Sequence, residues 1–361
     1  MINVLIEGMT NNKGGKETYI VNMYKALDKK KYCFTFIAYD TEIAYETFLR
    51  ETGATIVHVP ARSQGLYKHK KALDKLLKEN KYDVVWAHKT TLSACELMEL
   101  SKKNKVPIRM IHSHSSSNMG GKFTLLMHTI NKRRIISWGN RYLACSETAA
   151  EWFYGKHPAV ILKNGIDLEK YRFNEDIRNE VRSKLNLQGK FVIGHVGRFG
   201  IEKNHKKLIS VVNACRRQDD NVRLVLCGDG EERAHIEEQI KELGLEKYVM
   251  LLGVIDNVNK ILQAVDIIVM PSLFEGLPFA LLEAQAAGLK CVVSDTVSRE
   301  SNILGWNEYL PLNGEDEMWA STILEKNADC KRENGYDLMK KSGFDIKDCI
   351  SEFEMQLKER G

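Results

Sequence analysis

Residues 266–295 read DIIVMPSLFEGLPFALLEAQAAGLKCVVSD, and this stretch reveals the fold class most directly. An apolar, strand-like run ends at Pro271, and a loop follows. A helix is predicted to begin near Pro278, strong helix formers continue from Phe279 to Ala287, and a second apolar run begins at Cys291. Proline favours the first position of a helix because its missing N–H would be unsatisfied there, and Gly288 is a typical residue just beyond a helix end. The stretch therefore predicts strand, helix and strand, the unit from which parallel sheets are built.

The same alternation extends over the rest of the chain. Short apolar runs separated by helical segments predict a parallel sheet covered on both faces. Strands are predicted at 2–8, 34–39, 55–59, 83–88, 108–114 and 141–146 in the first half, and at 191–197, 222–228, 249–253, 266–271 and 291–295 in the second. At 361 residues the chain is long enough for two domains. We therefore predict an α/β protein of two Rossmann-like, doubly wound domains.

The domain boundary is predicted at the turn formed by Asn164 and Gly165. The first domain is expected to comprise residues 1–163 together with a C-terminal amphipathic helix at about 344–361. The second is expected to comprise residues 164–343.

Charge is distributed unevenly between the halves. Residues 1–163 hold 26 Lys and Arg against 14 Asp and Glu, a net charge of +12, whereas the whole chain carries +5. The first half is therefore expected to meet an anionic partner, such as a membrane surface or a pyrophosphate-linked lipid. No helix-turn-helix, RNP or zinc-finger pattern occurs, so we expect no nucleic-acid partner. Neither a signal peptide nor a membrane-spanning apolar stretch is evident, and a cytoplasmic location is expected.

The loop and helix start at 272–283 have the chemistry of a ligand site. A helix N-terminus offers unpaired N–H groups and a positive dipole end to phosphate, and in doubly wound sheets ligands bind at this edge. Glu275 and Glu283 flank the helix start, and carboxylates are strong acceptors for sugar hydroxyls. Two interpretations stay open on chemistry alone: the carboxylates hold a sugar and a ribose, or Glu275 caps the helix and Glu283 is a solvated surface residue.

Several motifs in order along the chain resemble retaining glycosyltransferase family 4, of GT-B fold. They are GGKET (14–18), HSH (112–114), LACSE (143–147, with Tyr142 before it), NGID (164–167), VGRFGIEKNH (196–205), CGDG (227–230), LLGV (251–254) and SLFEGLPFALLEAQ (272–285). Together they are similar to the bacterial capsular and exopolysaccharide branch of that family. The resemblance implies two domains that face each other across a cleft.

The resemblance also implies roles for individual residues in binding a nucleoside diphosphate sugar. Arg198 and Lys203 would neutralise the diphosphate, Glu275 would hold the transferred sugar, and Glu283 would bind the ribose. Backbone groups complete the implied site: those of Gly14 and Gly15, of Gly253, Val254 and Ile255 at the base, and of Gly276, Leu277, Pro278 and Phe279 at the diphosphate.

The resemblance implies a histidine of the first domain that faces the transferred sugar, which members of the family carry at the end of the fourth strand. His112 and His114 both qualify, and on a strand they would share one face. We favour His114, which lies nearer the strand end, and keep His88 as a weaker candidate on the acceptor side. Glu275 and His114 are expected to act by positioning and electrostatic stabilisation.

No cofactor or metal is expected, because the sequence has no D-x-D in a plausible metal-binding loop and two cations can serve the diphosphate instead. The resemblance implies transfer of a hexose or N-acetylhexosamine, UDP-linked by analogy, to a glycan or lipid-linked acceptor with retention of configuration. The basic segment 121–141, with Phe123, Leu126, Ile130, Ile135 and Trp138, could lie on an anionic membrane or face the core.

Two rival functions remain in view. One is a sugar-nucleotide 2-epimerase of the same architecture, and the other is a catalytically inactive homologue that serves as a binding or scaffold subunit. A dinucleotide-dependent dehydrogenase is disfavoured, because neither half carries G-x-G-x-x-G after its first strand.

Overall fold

The computed structural model of the chain describes residues 1–117, 120–326 and 332–358. The chain divides into two units, Met1–Gly165 with Ile346–Gly361, and Ile166–Asp345. The first segment of unit 1 thus ends at Gly165, two residues beyond the end predicted at residue 163. The last three residues of the predicted C-terminal helix, 359–361, lie outside the described residues.

Unit 1 is built on a seven-stranded parallel sheet in the order β3-β2-β1-β4-β5-β6-β7. The strands are β1 (Ile2–Glu7), β2 (Tyr32–Ala38), β3 (Thr55–His58), β4 (Val84–Lys89), β5 (Ile108–Ser113), β6 (Arg141–Ala144) and β7 (Val160–Ile161). The helices between them are α1 (Gly15–Ala26), α2 (Glu46–Glu51), α3 (Leu66–Glu79), α4 (Glu96–Lys103), α5 (Lys122–Trp138) and α6 (Glu147–Tyr154).

Unit 2 repeats this topology with a six-stranded parallel sheet in the order β10-β9-β8-β11-β12-β13. Its helices are α7 (Leu168–Tyr171), α8 (Glu175–Lys184), α9 (His205–Gln218), α10 (Arg233–Glu242), α11 (Val258–Ala264), α12 (Phe279–Ala286), α13 (Asp316–Glu325) and α14 (Gly335–Lys341). Its strands are β8 (Phe191–Val196), β9 (Val222–Cys227), β10 (Val249–Leu251), β11 (Ile267–Met270), β12 (Cys291–Ser294) and β13 (Asn307–Leu310).

Both faces of the unit 2 sheet are apolar, which explains the unbroken hydrophobic runs in its sequence. Ile193 and Leu224 belong to a core cluster on one face, and their chain neighbours Val192 and Val225 belong to a cluster on the other. Successive side chains of a strand point to opposite faces, so burial on both sides requires consecutive apolar residues. The predicted α/β class with two doubly wound domains is confirmed.

The last helix, α15 (Ile346–Lys358), belongs to unit 1 although it follows unit 2 in sequence. Phe353 stacks on Trp86 with ring centroids 4.4 Å apart, and Glu354 accepts hydrogen bonds from Lys31 and Tyr32. An aromatic anchor and an ion pair thus fix the returning helix to the first domain.

Several element ends differ from the predictions. The sequence pattern favours helices from about Thr18 to Leu27 and over 92–104, whereas α1 begins at Gly15 and α4 at Glu96. The strand predicted at 108–114 ends at Ser113, so His114 lies just beyond it. The short strand β13 was not predicted, because its residues NEYL carry two polar groups at the edge of the sheet. In the part of the chain that the structure describes, no helix is long and apolar enough to cross a membrane.

Candidate active site

In unit 2 the strand order changes direction between β8 and β11, because β9 and β10 lie on one side of β8 and β11 to β13 on the other. Ligands of doubly wound sheets bind outside the carboxyl ends of the strands at such a switch point. The loop after β8 carries Arg198 and Lys203, and the loop after β11 carries Glu275. The topology therefore brings the predicted cations and one predicted carboxylate to the same edge.

Two glycines let the loops at this edge approach each other closely. Gly228 has φ +147°, and a Cβ there would lie 1.8 Å from the carbonyl oxygen of Gly197, so no other residue fits without rearrangement. A Cβ on Gly197 would in turn lie 3.0 Å from Cε of Lys203. The glycines of the VGRF and CGDG motifs thus shape the loop that carries Lys203.

Three polar contacts join the loop after β8 to the loop after β11. Asn204 donates from Nδ2 to the carbonyl of Pro271 at 3.1 Å, and the backbone N–H of Leu273 donates to the carbonyl of Glu202 at 2.8 Å. The third contact is the ion pair between Lys203 and Glu275, whose side chains are only 13% and 15% exposed. The two residues assigned to the diphosphate and to the sugar are therefore direct neighbours.

Arg198 lies on the same loop but faces solvent. Its side chain is 45% exposed and contacts Glu202 at 3.0 Å and Glu231 at 3.8 Å. The hydrogen bond from Arg198 to Glu202 raises the pKa of Arg198. The two cations therefore differ. Lys203 is held by a largely buried carboxylate, whereas the exposed ion pair of Arg198 contributes little free energy, so its side chain can reorient easily.

Helix α12 starts one residue later than predicted, because Pro278 occupies the N-cap with ψ 128° and Phe279 is the first helical residue. Among the residues that the structure describes, no side chain caps this helix start, and Glu275 instead bonds to Lys203 and Ser272, so the interpretation of Glu275 as the cap is wrong. Gly288 follows the last turn with φ +76°, which confirms the predicted helix end. The segment from Gly276 to Phe279 therefore presents an uncapped helix N-terminus, as an anion site requires.

Glu283 is not a solvated surface residue, which was the alternative interpretation. It accepts a hydrogen bond from the hydroxyl of Tyr171 at 2.8 Å, and burial raises the pKa of Glu283. Tyr171 lies 112 residues earlier in the sequence, on α7. Nothing in the sequence pattern points to this pairing, and Tyr171 was missed as a residue that orients Glu283.

The predicted base-binding segment follows β10, two strands away from β8. The carbonyl of Gly253 accepts a hydrogen bond from the N–H of Gly228 at 2.8 Å, which links this segment to the glycine-rich loop after β9. Val254 is 67% exposed, and Ile255 is half-buried. The segment belongs to the same carboxyl edge as the predicted diphosphate site.

In unit 1 the strand order changes direction between β1 and β4. Gly14 and Gly15 lie in the connection after β1, where Gly14 is the N-cap of α1. Gly14 has φ −90° and ψ 179°, an extended conformation that any residue adopts, and a Cβ on Gly15 would meet no atom within 4 Å. A Cβ on Gly14 would lie 2.9 Å from Oε2 of Glu17, so a larger residue there requires that side chain to shift, whereas the described part of unit 1 leaves room for a Cβ at position 15.

All three candidate histidines gather at the ends of β4 and β5. His88 and His112 are buried partners in the sheet register, and His114 is half-buried just beyond β5. The ring centroids of His112 and His114 lie 4.3 Å apart, which confirms that the two share a face. Of the three histidines, His114 is the one that solvent reaches. It is also the histidine that the sequence analysis favoured for facing the sugar, and that role stays a prediction.

A buried charge cluster beside these histidines was not predicted. Glu7, at the end of β1, contacts the ammonium group of Lys89 at 2.7 Å and accepts a hydrogen bond from Tyr39 at 2.7 Å. Proximity to Glu7 raises the pKa of Lys89 against the opposing effect of burial. Their position in the sequence could have predicted this pair, because both residues end strands that are neighbours at the switch point.

Comparisons with known proteins agree with this architecture. Residues 13–170 match the family model described as Glycosyltransferase Family 4, and residues 177–325 match the model Glycosyl transferases group 1. The chain is 31% identical over 339 residues to the putative glycosyltransferase EpsF of Bacillus subtilis, covering 90% of this chain and 87% of EpsF.

A second relative is an Escherichia coli enzyme named UDP-Gal:alpha-D-GlcNAc-diphosphoundecaprenol alpha-1,3-galactosyltransferase, 27% identical over 75% of this chain and 76% of that protein. Among solved structures, HepE of Anabaena, crystallised in complex with UDP, superimposes with a TM-score of 0.79 at 19% identity over 99% of both chains. The match to EpsF over nearly the whole chain, the two family models and the shared fold lead to one conclusion: this chain is a glycosyltransferase of family 4, with the GT-B fold.

Proposed function

We propose that the protein transfers a hexose or N-acetylhexosamine from a UDP-linked sugar to a glycan or lipid-linked saccharide, with retention of configuration, in the biosynthesis of a surface polysaccharide. The observation that carries the proposal is the Lys203–Glu275 ion pair beside the uncapped start of α12. It joins a cation for a diphosphate to a carboxylate for a sugar at the switch point of unit 2.

The diphosphate is proposed to bind beside the two cations of the loop after β8 and the start of α12. Arg198 and Lys203 supply two cations, and the segment from Gly276 to Phe279 adds backbone N–H groups at a helix N-terminus. As the nucleoside diphosphate leaves, its negative charge grows, and groups that bind it more strongly in the transition state accelerate the transfer. These groups can serve the diphosphate without a divalent metal.

The proposed roles of the two carboxylates follow from their surroundings. Glu275 is proposed to accept hydrogen bonds from hydroxyl groups of the transferred sugar, next to the cation that holds the diphosphate. Glu283 is proposed to accept from the ribose, with Tyr171 fixing its orientation. The backbone from Gly253 to Ile255, in which Val254 is exposed, is proposed to contact the base. UDP and an undecaprenol-linked acceptor appear in the name of the galactosyltransferase relative, which supports this class of substrates.

The first test is thermal unfolding with UDP, GDP, ADP, CDP and dTDP, each with EDTA and with Mg²⁺. A ligand that binds only the folded state at 100 times its Kd stabilises by about 2.7 kcal/mol. We expect UDP to stabilise the wild type in EDTA and Arg198→Ala much less. Arg217→Ala, an exposed arginine of α9 that pairs with Glu317, is the matched control and should respond like the wild type. Stabilisation by none of the five nucleotides would favour the inactive scaffold instead.

Turnover distinguishes the remaining alternatives. A transferase releases nucleoside diphosphate in proportion to glycosylated acceptor, and the anomeric NMR signals of the product report whether configuration is retained. An epimerase would change the sugar at C2 without any acceptor. A product of inverted configuration would refute the proposed stereochemistry while leaving transfer intact.

We further propose that the first half of α5 lies on the inner face of an anionic membrane, which would make the enzyme cytoplasmic and peripheral. Phe123 is 71% and Leu126 is 56% exposed, and Ile130 is exposed one turn further on. Exposed apolar residues beside Lys122, Arg133 and Arg134 suit an interfacial helix on anionic lipid. By contrast, Ile135 is fully buried and Trp138 packs against the core, so these two residues face inward.

Sedimentation with vesicles tests this second proposal. We expect binding to vesicles that contain phosphatidylglycerol at low salt, less binding to pure phosphatidylcholine, and a loss in a Phe123→Ser, Leu126→Ser double variant. Leu338→Ser, an exposed apolar residue of α14 in unit 2, is the control. Equal sedimentation of wild type and double variant would refute this role of α5.

A further inference from the structure

The three histidines at the carboxyl ends of β4 and β5 form one cluster, with a hydrogen bond between two of the rings and all three rings tilted against one another. His88 Nδ1 lies 2.9 Å from His114 Nε2, a hydrogen bond between two imidazoles. The ring of His112 lies beneath that of His114, with an interplanar angle of 31°. The backbone N–H of His114 donates to the carbonyl of Lys89, which fixes this residue to the end of β4.

The surroundings of the cluster are largely aromatic. Trp86 lies 4.5 Å from His88 between ring centroids, and Tyr19 lies 4.9 Å from His112 and 5.1 Å from His114. Burial lowers the pKa of all three histidines, that of His112 to about 3, and the nearby Lys16 lowers the pKa of His88 and His114 further. The rings are therefore neutral near pH 7, and each carries a single N–H.

A hydrogen bond between two neutral imidazoles needs one donor and one acceptor. If His114 donated from Nε2, the proton of His88 would be on its own Nε2. That nitrogen is buried and has no hydrogen-bond partner among the residues that the structure describes. A buried N–H without a partner is rarer in folded proteins than an under-used acceptor, because a donor has one proton to satisfy and loses its hydration when it is buried.

We propose that His88 is a positioning residue that donates from Nδ1 to Nε2 of His114 and thereby holds His114 in the Nδ1–H tautomer. The half-buried ring of His114 then presents a hydrogen-bond donor, not a basic nitrogen, towards a bound oxygen atom. This inference rests on the proposed function for the identity of that oxygen, a hydroxyl or ring oxygen of the transferred sugar. It makes His114 a neutral donor in the reaction rather than a general base.

The tautomer can be read directly by long-range ¹H–¹⁵N NMR of the full chain labelled with ¹⁵N-histidine, with His114→Gln used to assign the signals. We expect the Nδ1–H pattern for His114 in the wild type. His88→Asn keeps an amide N–H near the position of Nδ1 and should preserve that pattern, whereas His88→Leu removes the donor that selects one tautomer, so His114 should show a mixture of the two. His69→Leu removes another buried histidine of unit 1, one that hydrogen-bonds to the carbonyl of Pro60, and should leave His114 unchanged.

Turnover should follow the tautomer: kcat should fall at least tenfold in His88→Leu, be largely restored in His88→Asn, and stay near the wild-type value in His69→Leu. An Nε2–H pattern for His114 in the wild type would overturn the proposal, as would an unchanged pattern in His88→Leu. If His88→Leu does not fold, the wild type and His88→Asn still decide.

Metal binding is a further outcome that would overturn the proposal. The ligand atoms of the three histidines lie within 4.8 Å of one another, so the cluster could in principle hold a metal ion. Stoichiometric Co²⁺ binding with a visible absorption band, lost in His112→Phe, would assign the cluster to a metal. Binding of UDP to the same samples tests the proposed function separately, because the tautomer is measured without any ligand.

Discussion

The ion pair between Lys203 and Glu275 leads to a prediction in which two variants of one contact change nucleotide affinity in opposite directions. Both side chains are more than four-fifths buried, so their hydrogen bond falls in the range of charged pairs, about 1.5–3 kcal/mol net. UDP must share or displace Glu275 to engage Lys203. If Glu275 loses its charge, UDP no longer has to break a strong ion pair, so UDP should bind more tightly. If Lys203 is removed, UDP loses a cation that binds it directly, so UDP should bind more weakly.

We therefore expect Glu275→Gln to lower the Kd for UDP, up to about tenfold for 1.4 kcal/mol, and to abolish sugar transfer. Lys203→Ala should raise the Kd by about 10- to 100-fold. It should also destabilise unit 2 by about 1–3 kcal/mol, because Glu275 loses its partner. Isothermal titration calorimetry gives the affinities, and thermal unfolding gives the stabilities.

The double variant completes the test, because in Lys203→Ala the Glu275→Gln exchange should no longer recover free energy from a broken ion pair. Glu246→Gln, an exposed glutamate of unit 2, controls for the loss of one negative charge. Weaker UDP binding by Glu275→Gln than by Glu246→Gln would refute the reasoning. It would show that Glu275 supports the diphosphate site instead of competing with it.

Three further predictions concern stability. Gly228→Ala should lower the melting temperature of the protein far more than Gly244→Ala, because both positions have positive φ but only Gly228 would clash with backbone, at 1.8 Å; calorimetry compares the two variants. Burial raises the pKa of Glu283 in the folded state above its pKa in the unfolded chain. The folded state therefore loses stability as pH rises from the unfolded-state pKa through the folded-state pKa. Glu283→Gln should therefore raise the melting temperature at pH 8 and leave it unchanged at pH 4. Burial lowers the pKa of His205 to about 4, so the protein should lose roughly 3 kcal/mol of stability through this group as pH falls from 6.5 to 4. Denaturant titrations should show a flatter pH profile in His205→Phe and an unchanged one in His235→Asn, an exposed control.

The sequence predicted the sheets well because consecutive apolar residues in parallel strands are hard to mistake. It predicted helix starts less well, since Gly14 and Gly15 are poor helix formers that nonetheless flank and open α1. Here the favourable packing of α1 outweighs the intrinsic preference of one glycine, a difference of about 1 kcal/mol. Strand β13 was not predicted, because half of its side chains are polar and it therefore lacks a continuous apolar run.

The candidate site was predicted unevenly for a physical reason. Residues that share a loop, such as Arg198 and Lys203, are recognisable from local spacing. Their partners come from elsewhere: Tyr171 meets Glu283 across 112 positions. His88 could have been paired with the later histidines, because parallel strands end at one edge and β4 neighbours β5. Its hydrogen bond to His114, however, depends on side-chain geometry that no spacing reveals.

The two units place their candidate chemistry by the same rule. In each, the strand order reverses beside the first strand, at the edge where ligands of doubly wound sheets bind. In unit 2 this edge carries charged residues on loops that are joined by the Lys203–Glu275 ion pair and by a close backbone approach at Gly228. In unit 1 the corresponding edge carries a buried ion pair, Glu7 with Lys89, and neutral histidines. In unit 2 the solvent-facing Arg198 can turn from its carboxylate partners to a diphosphate, whereas the paired charges of unit 1 are buried and leave neutral histidines for sugar hydroxyls. The shared topology thus explains where each site lies, and the charges of the loop residues explain why the two sites should bind different parts of the substrates.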